Sequence, residues 1–303
     1  MKIFLTGASG YVGSTVAEKL KGRGYEVAGL ARTAAAAEKL RARKIEPVSG
    51  SLEDFGVLKD AAGAADAVVH TAFSHNFDDY DDAVRLDREV IKAFAGALAG
   101  SNKPLIVTSS SAVLGDTRGN RADEDYPFAE NSPRRLRGES ERDTLQLSAR
   151  GIRSIVVRLP LFVYGRGGSS FVPFVINQAK AAGAAVYAGT GEQRVSAVHV
   201  DDAAALYLLA LETSTAKGLY NAAAEAVKIK ALNEAAARLL GVKTRSLAAD
   251  EARARFGKMY DFLSIDNELD AGRARRELGW TPSDYYSILD DIENGSYRPR
   301  ALD

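Results

Sequence analysis

The sequence contains no cysteine, and this absence removes several classes of chemistry at once. Disulfides, thiolate metal ligands and cysteine nucleophiles are excluded, and such a composition suits a reducing compartment. Neither sign of charge is in excess, because 40 Lys and Arg residues balance 40 Asp and Glu residues. Proteins that neutralise phosphate backbones usually carry a basic surplus, so we expect no nucleic-acid partner.

Long hydrophobic runs are also absent. No stretch is apolar over the length needed to cross a bilayer, and residues 2–7 lack the features of a secretory signal. We therefore expect a cytoplasmic protein with no membrane partner. The three histidines, His70, His75 and His199, lie on separate segments without a metal-ligand spacing, so we expect no metal site. What is present suits a large globular core: 46% of the 303 residues are hydrophobic and 26% are charged.

Short apolar runs alternate with helical segments through the first half of the chain. The runs predict strands at residues 2–5, 26–30, 45–48, 67–70, 104–107 and 154–158. Helices are predicted between them at residues 12–21, 33–43, 54–62, 80–98 and 134–149. Strands that alternate with helices form a parallel sheet covered on both faces, with right-handed crossovers. The sequence therefore predicts a doubly wound α/β fold.

The alternation lapses after Pro160. Beyond it the sequence predicts helices at residues 171–182, 201–212, 229–240, 248–256 and 271–278, with strands at 185–187 and 195–200. We expect one domain of residues 1–160, completed by about 194–222. A smaller mixed C-terminal part, residues 161–193 and 223–303, then covers the crevice at the carboxyl ends of the strands, where ligands of such sheets bind.

The strongest local motif is a glycine-rich turn between the first strand and the first helix. Gly7 allows a tight turn, Gly10 lets the backbone approach a pyrophosphate, and Gly13 lets the helix pack closely on the strand. Amide N–H groups at a helix start also attract anionic phosphates. We therefore expect residues 1–160 to bind a dinucleotide through Gly7, Ser9, Gly10, Tyr11, Val12 and Gly13.

The residue after the second strand indicates which dinucleotide. Cofactors with a free ribose 2′-hydroxyl are usually held there by a carboxylate, but this chain has Arg32. A guanidinium pairs with a 2′-phosphate through charge-assisted hydrogen bonds. The sequence thus favours NADP(H) over NAD(H). The alternative is that Arg32 only interacts with water at the start of the second helix.

Together these motifs give the chain a family resemblance. It resembles the extended and atypical short-chain dehydrogenase/reductases, also described as NAD-dependent epimerase/dehydratase-like proteins, over residues 6–13, 50–52, 69–72, 107–111, 158–165, 198–202 and 278–282. The resemblance implies a Rossmann fold and places Ser51 and Leu52 in the adenine pocket. It also implies Thr71 and Ala72 at the ribose and pyrophosphate, Thr108 and Pro160 beside the nicotinamide, and a homodimer paired through the helices after the fourth and fifth strands.

The family's usual catalytic pair is altered in this chain. Members of the family place a Tyr and, four residues later, a Lys on the helix after the fifth strand. Alignment from Glu141 puts Pro133 at the Tyr position and Arg137 at the Lys position. Proline has no exchangeable proton, so acid/base chemistry from that position is lost. The chain resembles an atypical subgroup in which His and Arg often replace the pair, although it keeps only the Arg.

Other residues are then candidates for the chemistry. By the resemblance Ser110 is the active-site serine that orients the substrate oxygen, although serines at a strand end also form turns. Arg137 is a candidate for holding the cofactor ribose or an oxyanion, or is an ordinary helix-surface residue. His75 suits a proton relay, because imidazole titrates near neutral pH, but a loop histidine often only packs. Tyr126 and Tyr164 are further candidate phenols.

Aromatic residues on segments expected to face the crevice indicate a small, mainly apolar substrate or, alternatively, plain core; they are Phe73, Phe77, Phe171, Phe174, Tyr260 and Phe262. Three functions stay open at this stage. The first is an NADP(H)-dependent oxidoreductase acting on a carbonyl or a secondary alcohol. The second is an epimerase or dehydratase that uses the nicotinamide transiently. The third is a non-catalytic protein that binds or senses NADP(H).

Overall fold

The computed structural model describes residues 1–73, 80–283 and 287–298. Its strands are β1 (Lys2–Thr6), β2 (Glu26–Ala31), β3 (Glu46–Ser49), β4 (Ala67–His70), β5 (Pro104–Ser110), β6 (Arg121–Ala122), β7 (Arg153–Leu159), β8 (Phe162–Tyr164), β9 (Ala184–Ala188), β10 (Arg194–His199), β11 (Gly218–Asn221), β12 (Glu225–Lys228), β13 (Lys243–Leu247) and β14 (Glu268–Leu269). Its helices are α1 (Tyr11–Gly22), α2 (Ala34–Ala42), α3 (Phe55–Ala64), α4 (Tyr80–Leu98), α5 (Arg135–Leu145), α6 (Phe171–Ala182), α7 (Val200–Glu212), α8 (Ile229–Leu240), α9 (Ala249–Phe256), α10 (Tyr260–Leu263), α11 (Gly272–Leu278) and α12 (Ile288–Asn294).

A parallel sheet of seven strands carries the first part of the chain, in the order β11-β7-β5-β4-β1-β2-β3. Side chains of β1 alternate between two cores: Ile3 and Leu5 face a cluster built with α1, α2 and α7, and Phe4 faces a cluster built with α3 and α4. A sheet covered by helices on both faces buries its strands completely. The predicted doubly wound α/β fold is confirmed.

The strand order reverses between β1 and β4, which pair with each other from Ile3↔Ala67 to Thr6↔His70. Chain connections leave the two strands in opposite directions there, which opens a crevice at their carboxyl ends. β5 lies beside β4 and extends to Ser110, which is paired with Leu159 of β7. The ends of β1, β4, β5 and β7 therefore meet along one edge of the sheet.

A second core lies beyond the sheet. Apolar side chains of α6, α8 and α12 pack there with a three-stranded sheet in the order β12-β10-β8. β10 thus pairs with β8 and β12, whereas β11 joins the seven-stranded sheet and α7 packs against α1. The division of the chain at residue 160 stays a prediction.

Most predicted elements are present, and α4, α6 and α8 have the predicted bounds. Six strands were not predicted: β6, β8, β11, β12, β13 and β14. β13 reads Lys-Thr-Arg-Ser-Leu and buries only Leu247, so it has no apolar run to detect. β13 forms because its backbone pairs in parallel with that of β9, which comes earlier in the chain. In this ladder Lys243 is the partner of Ala184.

Among the described residues, no helix combines the length and the apolar character that a bilayer crossing requires. The longest described helix illustrates this, because α4 has acidic residues in its first turn, Asp81 and Asp82.

A buried ion pair ties α5 to the sheet. Glu141 on α5 accepts hydrogen bonds from Nε and Nη2 of Arg158 on β7, at 3.1 and 2.5 Å. Both residues are buried, and Arg158 also donates to the side-chain oxygen of Asn221 on β11. Removing one partner of such a pair leaves an uncompensated charge in a low-dielectric interior.

We predict that Glu141→Gln lowers the free energy of unfolding by about 3–5 kcal/mol, because Arg158 loses its counter-charge. Glu89→Gln is the matched control: it breaks an exposed pair with Lys92 and should cost about 1 kcal/mol or less. Urea unfolding followed by circular dichroism measures both. Equal, small losses would contradict this account of Arg158.

Candidate functional site

The glycine turn joins β1 to α1 at the point where the sheet order reverses. Gly7 has φ +75°, and a Cβ there would lie 2.6 Å from Thr71 Oγ1 and 2.8 Å from the amide nitrogen of Ala72. A Cβ on Gly13 would lie 2.2 Å from the Gly7 carbonyl oxygen. Larger residues would push the helix or β4 away, so both glycines allow close approach of backbone segments.

The outer face of the turn is open. Ser9 and Gly10 are exposed, and the Gly10 amide donates to the Gly7 carbonyl at 2.8 Å. The following amides, of Tyr11 and Val12, begin α1 and have no acceptor earlier in the helix. This concave surface of amides at a helix start fits a diphosphate.

A second loop, residues 165–168, lies against this turn. Tyr11 donates its hydroxyl to the Gly165 carbonyl at 2.8 Å, and a Cβ on Gly168 would lie 2.3 Å from the Tyr11 ring. The loop is also held by Tyr297, whose hydroxyl donates to the Gly168 carbonyl at 2.8 Å and accepts from the Gly165 amide at 3.0 Å. The loop after β8 is thus fixed between the glycine turn and the C-terminal segment.

The ends of β2 and β3 carry the predicted adenine-side residues. Arg32 is exposed, and its guanidinium has no hydrogen-bond or ion-pair partner in the described ranges. Ser51 is engaged: its amide and its hydroxyl donate to Asp54 Oδ2 at 2.6 and 3.0 Å. These hydrogen bonds lower the pKa of Asp54. Leu52 packs against the core formed with α3 and α4.

The predicted ribose and nicotinamide residues lie along the same edge. Thr71 donates to the Thr6 carbonyl at 2.8 Å, and the Ala72 amide donates to Thr6 Oγ1 at 3.4 Å. Thr108 Oγ1 donates to the His70 carbonyl at 2.8 Å and shares a 2.7 Å hydrogen bond with Tyr207. Pro160 is buried directly after β7. The structure thus brings these positions together at the ends of β1, β4, β5 and β7.

A buried polar network lies behind this edge. His70 Nδ1 is 2.6 Å from Thr6 Oγ1, and its Nε2 is 3.0 Å from Asp87 Oδ1. Asp87 Oδ2 accepts from Arg137 Nη1, and Arg137 Nη2 donates to the Thr108 carbonyl at 2.5 Å. All but Thr108 are buried. The network joins β1, β4, β5, α4 and α5.

Asp87 is charged despite its burial. Desolvation alone would raise its pKa, but the Arg137 guanidinium and the His70 hydrogen bond outweigh it and hold the pKa below its usual value. Sequence reasoning did not identify this residue. A signal was present, because Asp87 lies three residues after Val84 and three before Val90, on the apolar stripe of α4.

The predicted catalytic residues have different environments. Ser110 ends β5, and its hydroxyl oxygen accepts from the Ala112 amide at 3.2 Å. The hydroxyls of Ser109 and Ser111 are buried and have no hydrogen-bond partner within the described part of the chain. Arg137 engages Asp87 and Thr108, although further N–H groups of its guanidinium remain. The roles of Ser110 and Arg137 stay predictions.

Two of the remaining candidates form other contacts, and two lie outside the described residues. His75 and Phe77 lie outside the described residues. Tyr164 is buried and donates its hydroxyl to Glu225 at 2.8 Å. Burial, reinforced by Glu225, raises the pKa of Tyr164. Tyr126 packs on the edge of the first core.

Part of the predicted aromatic cluster forms. Phe73 lies against the Arg137 guanidinium, 4.4 Å from ring centroid to Cζ, and its centroid is 5.8 Å from that of Tyr80. Phe262 and Phe171 pair at 5.7 Å. Between the two pairs stands a residue that sequence reasoning missed. The guanidinium of Arg134 lies 4.4 Å from the Tyr80 centroid and 4.7 Å from that of Phe262. Two other predicted members lie elsewhere, Phe174 against Phe256 and Tyr260 under Arg253.

Comparison with known proteins agrees with this geometry. The model of the NAD dependent epimerase/dehydratase family matches residues 3–223. The chain belongs to that family. The resemblance stated from the motifs is therefore confirmed. The match begins in β1 and ends just after β11, so it covers the glycine turn and the whole seven-stranded sheet.

Three proteins are described here as similar to this chain. An uncharacterized protein of Schizosaccharomyces pombe is 39% identical over 98% of this chain and 100% of its own length. A 4-hydroxy-2-methyl-3-oxo-4-farnesyl-3,4-dihydroquinoline-1-oxide ketoreductase of Stigmatella aurantiaca is 30% identical over 58% of this chain and 54% of its own. A crystal structure of a dTDP-glucose 4,6-dehydratase of Streptomyces venezuelae with NAD and TYD bound has a TM-score of 0.77 at 21% identity, covering 98% of this chain and 96% of that one. The last likeness concerns the fold.

We predict that Asp87→Asn lowers the free energy of unfolding by about 3–5 kcal/mol at neutral pH, because Arg137 loses its buried counter-charge. The folded pKa of Asp87 is depressed, so its contribution is present above the unfolded pKa of about 3.9 and is lost as the pH falls through the folded pKa. The difference in the free energy of unfolding between wild type and Asp87→Asn should therefore become smaller as the pH falls. Urea titrations at about pH 7 and at a series of lower values down to about pH 2.5 measure it.

The matched control for this prediction is Asp82→Asn, which breaks an exposed pair with Arg85 on the same helix. It should change the free energy of unfolding by about 1 kcal/mol or less at either pH. A gap between wild type and Asp87→Asn that does not depend on pH would contradict the charged state assigned to Asp87.

Proposed function

We propose that the protein is an NADP(H)-dependent oxidoreductase that reduces a carbonyl, or oxidises a secondary alcohol, of a small and mainly apolar molecule. The observation that carries the proposal is the open glycine turn together with the exposed guanidinium of Arg32, which has no partner among the residues that the structure describes. The amides at the start of α1 fit a diphosphate, and the guanidinium fits a 2′-phosphate. Membership of the family and the ketoreductase relative support carbonyl chemistry.

The cofactor, when bound, supplies the hydride that adds to the carbonyl carbon, while a proton adds to the carbonyl oxygen. The chain supplies position and electrostatics. Ser110 is suited to orienting the substrate oxygen, because its oxygen accepts from the Ala112 amide and its own O–H remains available to donate. Thr71, Ala72, Thr108 and Pro160 would line the ribose and nicotinamide.

Arg137 and His75 complete the proposed chemistry. The Arg137 guanidinium is fixed at the end of β5 by Asp87 and the Thr108 carbonyl, so a remaining N–H can stabilise negative charge on the substrate oxygen or hold a ribose hydroxyl. His75 follows the end of β4 in sequence and is proposed as the proton relay in place of the phenol that Pro133 replaces. A homodimer through α4 and α5 and a cytoplasmic location belong to the same proposal and rest on the family resemblance and the composition.

Turnover of NADPH with a panel of aldehydes and ketones tests this function. An oxidoreductase consumes NADPH in proportion to the carbonyl compound reduced, as followed by nicotinamide absorbance. An epimerase or dehydratase would instead retain a bound cofactor without net consumption. A binding or sensing protein would bind NADPH, measured by calorimetry, and consume none with any member of the panel.

The cofactor preference is tested at Arg32. We predict that Arg32→Ala weakens NADPH binding by about 10- to 100-fold, as expected for loss of charge-assisted hydrogen bonds, and leaves NADH binding nearly unchanged. Arg43→Ala, at the exposed C-terminal end of α2, is the matched control. It should leave the ratio of the NADPH and NADH dissociation constants unchanged. Isothermal titration gives both dissociation constants. The same ratio in wild type and Arg32→Ala would refute the preference for NADP(H).

A further inference from the structure

Arg134 is held in an unusual way for a residue next to a helix start. It precedes α5, and its guanidinium carbon lies 4.4 Å from the centroid of Tyr80 and 4.7 Å from that of Phe262. Tyr80 begins α4 and Phe262 belongs to α10, so rings from both parts of the chain meet on one cation. A guanidinium over an aromatic ring is attracted to its face, which restricts the orientation of the side chain.

Among the described residues, no carboxylate forms an ion pair with Arg134. Its side chain is half-buried, yet within the described ranges it donates no hydrogen bond and forms no ion pair. Every other buried or half-buried arginine of these ranges donates to a carboxylate or a carbonyl; they are Arg88, Arg137, Arg153, Arg158, Arg255 and Arg273. The contrast with Arg137, one turn later, is direct, because that guanidinium is neutralised by Asp87.

This arrangement leaves the N–H groups of Arg134 for a ligand. Rings that pack on a guanidinium cover its faces and leave the in-plane donors at its edge. Those donors form a planar fork that matches a carboxylate through two parallel hydrogen bonds. Because the rings also exclude water, such a pair is stronger here than on an open surface.

Arg134 is placed where a substrate of the proposed reaction would lie. Phe73, which follows Thr71 and Ala72 at the end of β4, pairs with Tyr80 on one side. On the other side, Phe262 pairs with Phe171, which packs on Phe162 of the second core. Arg134 thus lies in an aromatic surface between the sheet edge and the second core.

We infer that Arg134 binds the carboxylate of the substrate, with the apolar body of the substrate beside the half-buried ring of Tyr80. The substrate class is then an oxo acid or the corresponding hydroxy acid. The inference rests on the proposed function for the identity of the reaction, but the carboxylate site itself is measurable without turnover.

The test compares carboxylates with neutral amides of the same shape. Benzoate, phenylacetate and hexanoate, and the three matching amides, are titrated by calorimetry into wild type, with and without saturating NADPH. We expect at least one carboxylate to bind at least 10-fold more tightly than its amide. Arg134→Gln should remove that preference, giving a ratio near 1, without changing the melting temperature by more than a few degrees.

Two further variants separate recognition from general effects. Arg135→Gln is the matched control, because Arg135 is exposed and paired with Glu139 on the surface of α5. The Arg135→Gln variant should keep the full preference for carboxylates over the matching amides. Tyr80→Phe keeps the ring on the guanidinium and should also keep it, whereas Tyr80→Leu should weaken carboxylate binding several-fold. If Arg134→Gln fails to fold, loss with Tyr80→Leu but not with Tyr80→Phe still supports the inference.

The outcomes are distinct from those of the proposed function. No carboxylate binding by wild type, or an unchanged preference in Arg134→Gln, overturns the inference even if NADPH is bound and consumed. Weaker NADPH binding by Arg134→Gln with an unchanged carboxylate preference overturns it as well, since the arginine would then serve the cofactor. Carboxylate preference without any NADPH binding supports the site and refutes the proposed reaction.

Discussion

The carboxylate of Asp87 is the constraint on which the edge of the sheet depends. It lies away from water on α4, and it accepts from His70 at the end of β4 and from Arg137 on α5. An unpaired charge at that depth would be costly, so these partners must keep their places whenever the chain is folded. His70 in turn contacts Thr6, and Arg137 holds the Thr108 carbonyl. The ends of three neighbouring strands are thereby fixed relative to one another.

This rigid base contrasts with the groups in front of it. In the part of the chain that the structure describes, donors remain open on the outer amides of the glycine turn and on the guanidinium groups of Arg32 and Arg134, whereas the donors behind them are largely engaged. A site with preorganised donors binds anionic groups without first breaking internal pairs. The first of these positions, the glycine turn, lies within the residues matched by the family model.

Helices and strands that bury a regular pattern of apolar side chains could be predicted from the sequence. Strands that form mainly through backbone pairing with another strand could not. α4 was predicted with its observed bounds because Val84, Val90, Ile91, Phe94 and Leu98 repeat with helical spacing. β13 could not be predicted, since its polar sequence is held by a ladder with β9. The glycine turn was predicted from its motif, whereas the positions of Thr71 and Thr108 were predicted from the family resemblance.

The partners of Arg137 could not be predicted from the sequence, for a related reason. Asp87 lies 50 residues earlier in the chain, and no spacing rule connects residues on two different helices. The same holds for Arg134, whose ring neighbours come from α4 and α10. The pattern of residues in a segment indicates which of its faces is buried. It does not indicate which charged or aromatic residue from a distant part of the chain that face contacts.

The bracing of residues 165–168 has a consequence for the order of folding during synthesis. Tyr11 and Tyr297 both bind this loop through their hydroxyls, so the loop is fully held only once both residues have docked. Domains generally fold as the ribosome extends them from the amino end. Here the residues of the sheet, up to Asn221 of β11, are synthesised well before Tyr297. A nascent chain that has not yet reached Tyr297 therefore has the crevice but lacks one of the two contacts that hold residues 165–168.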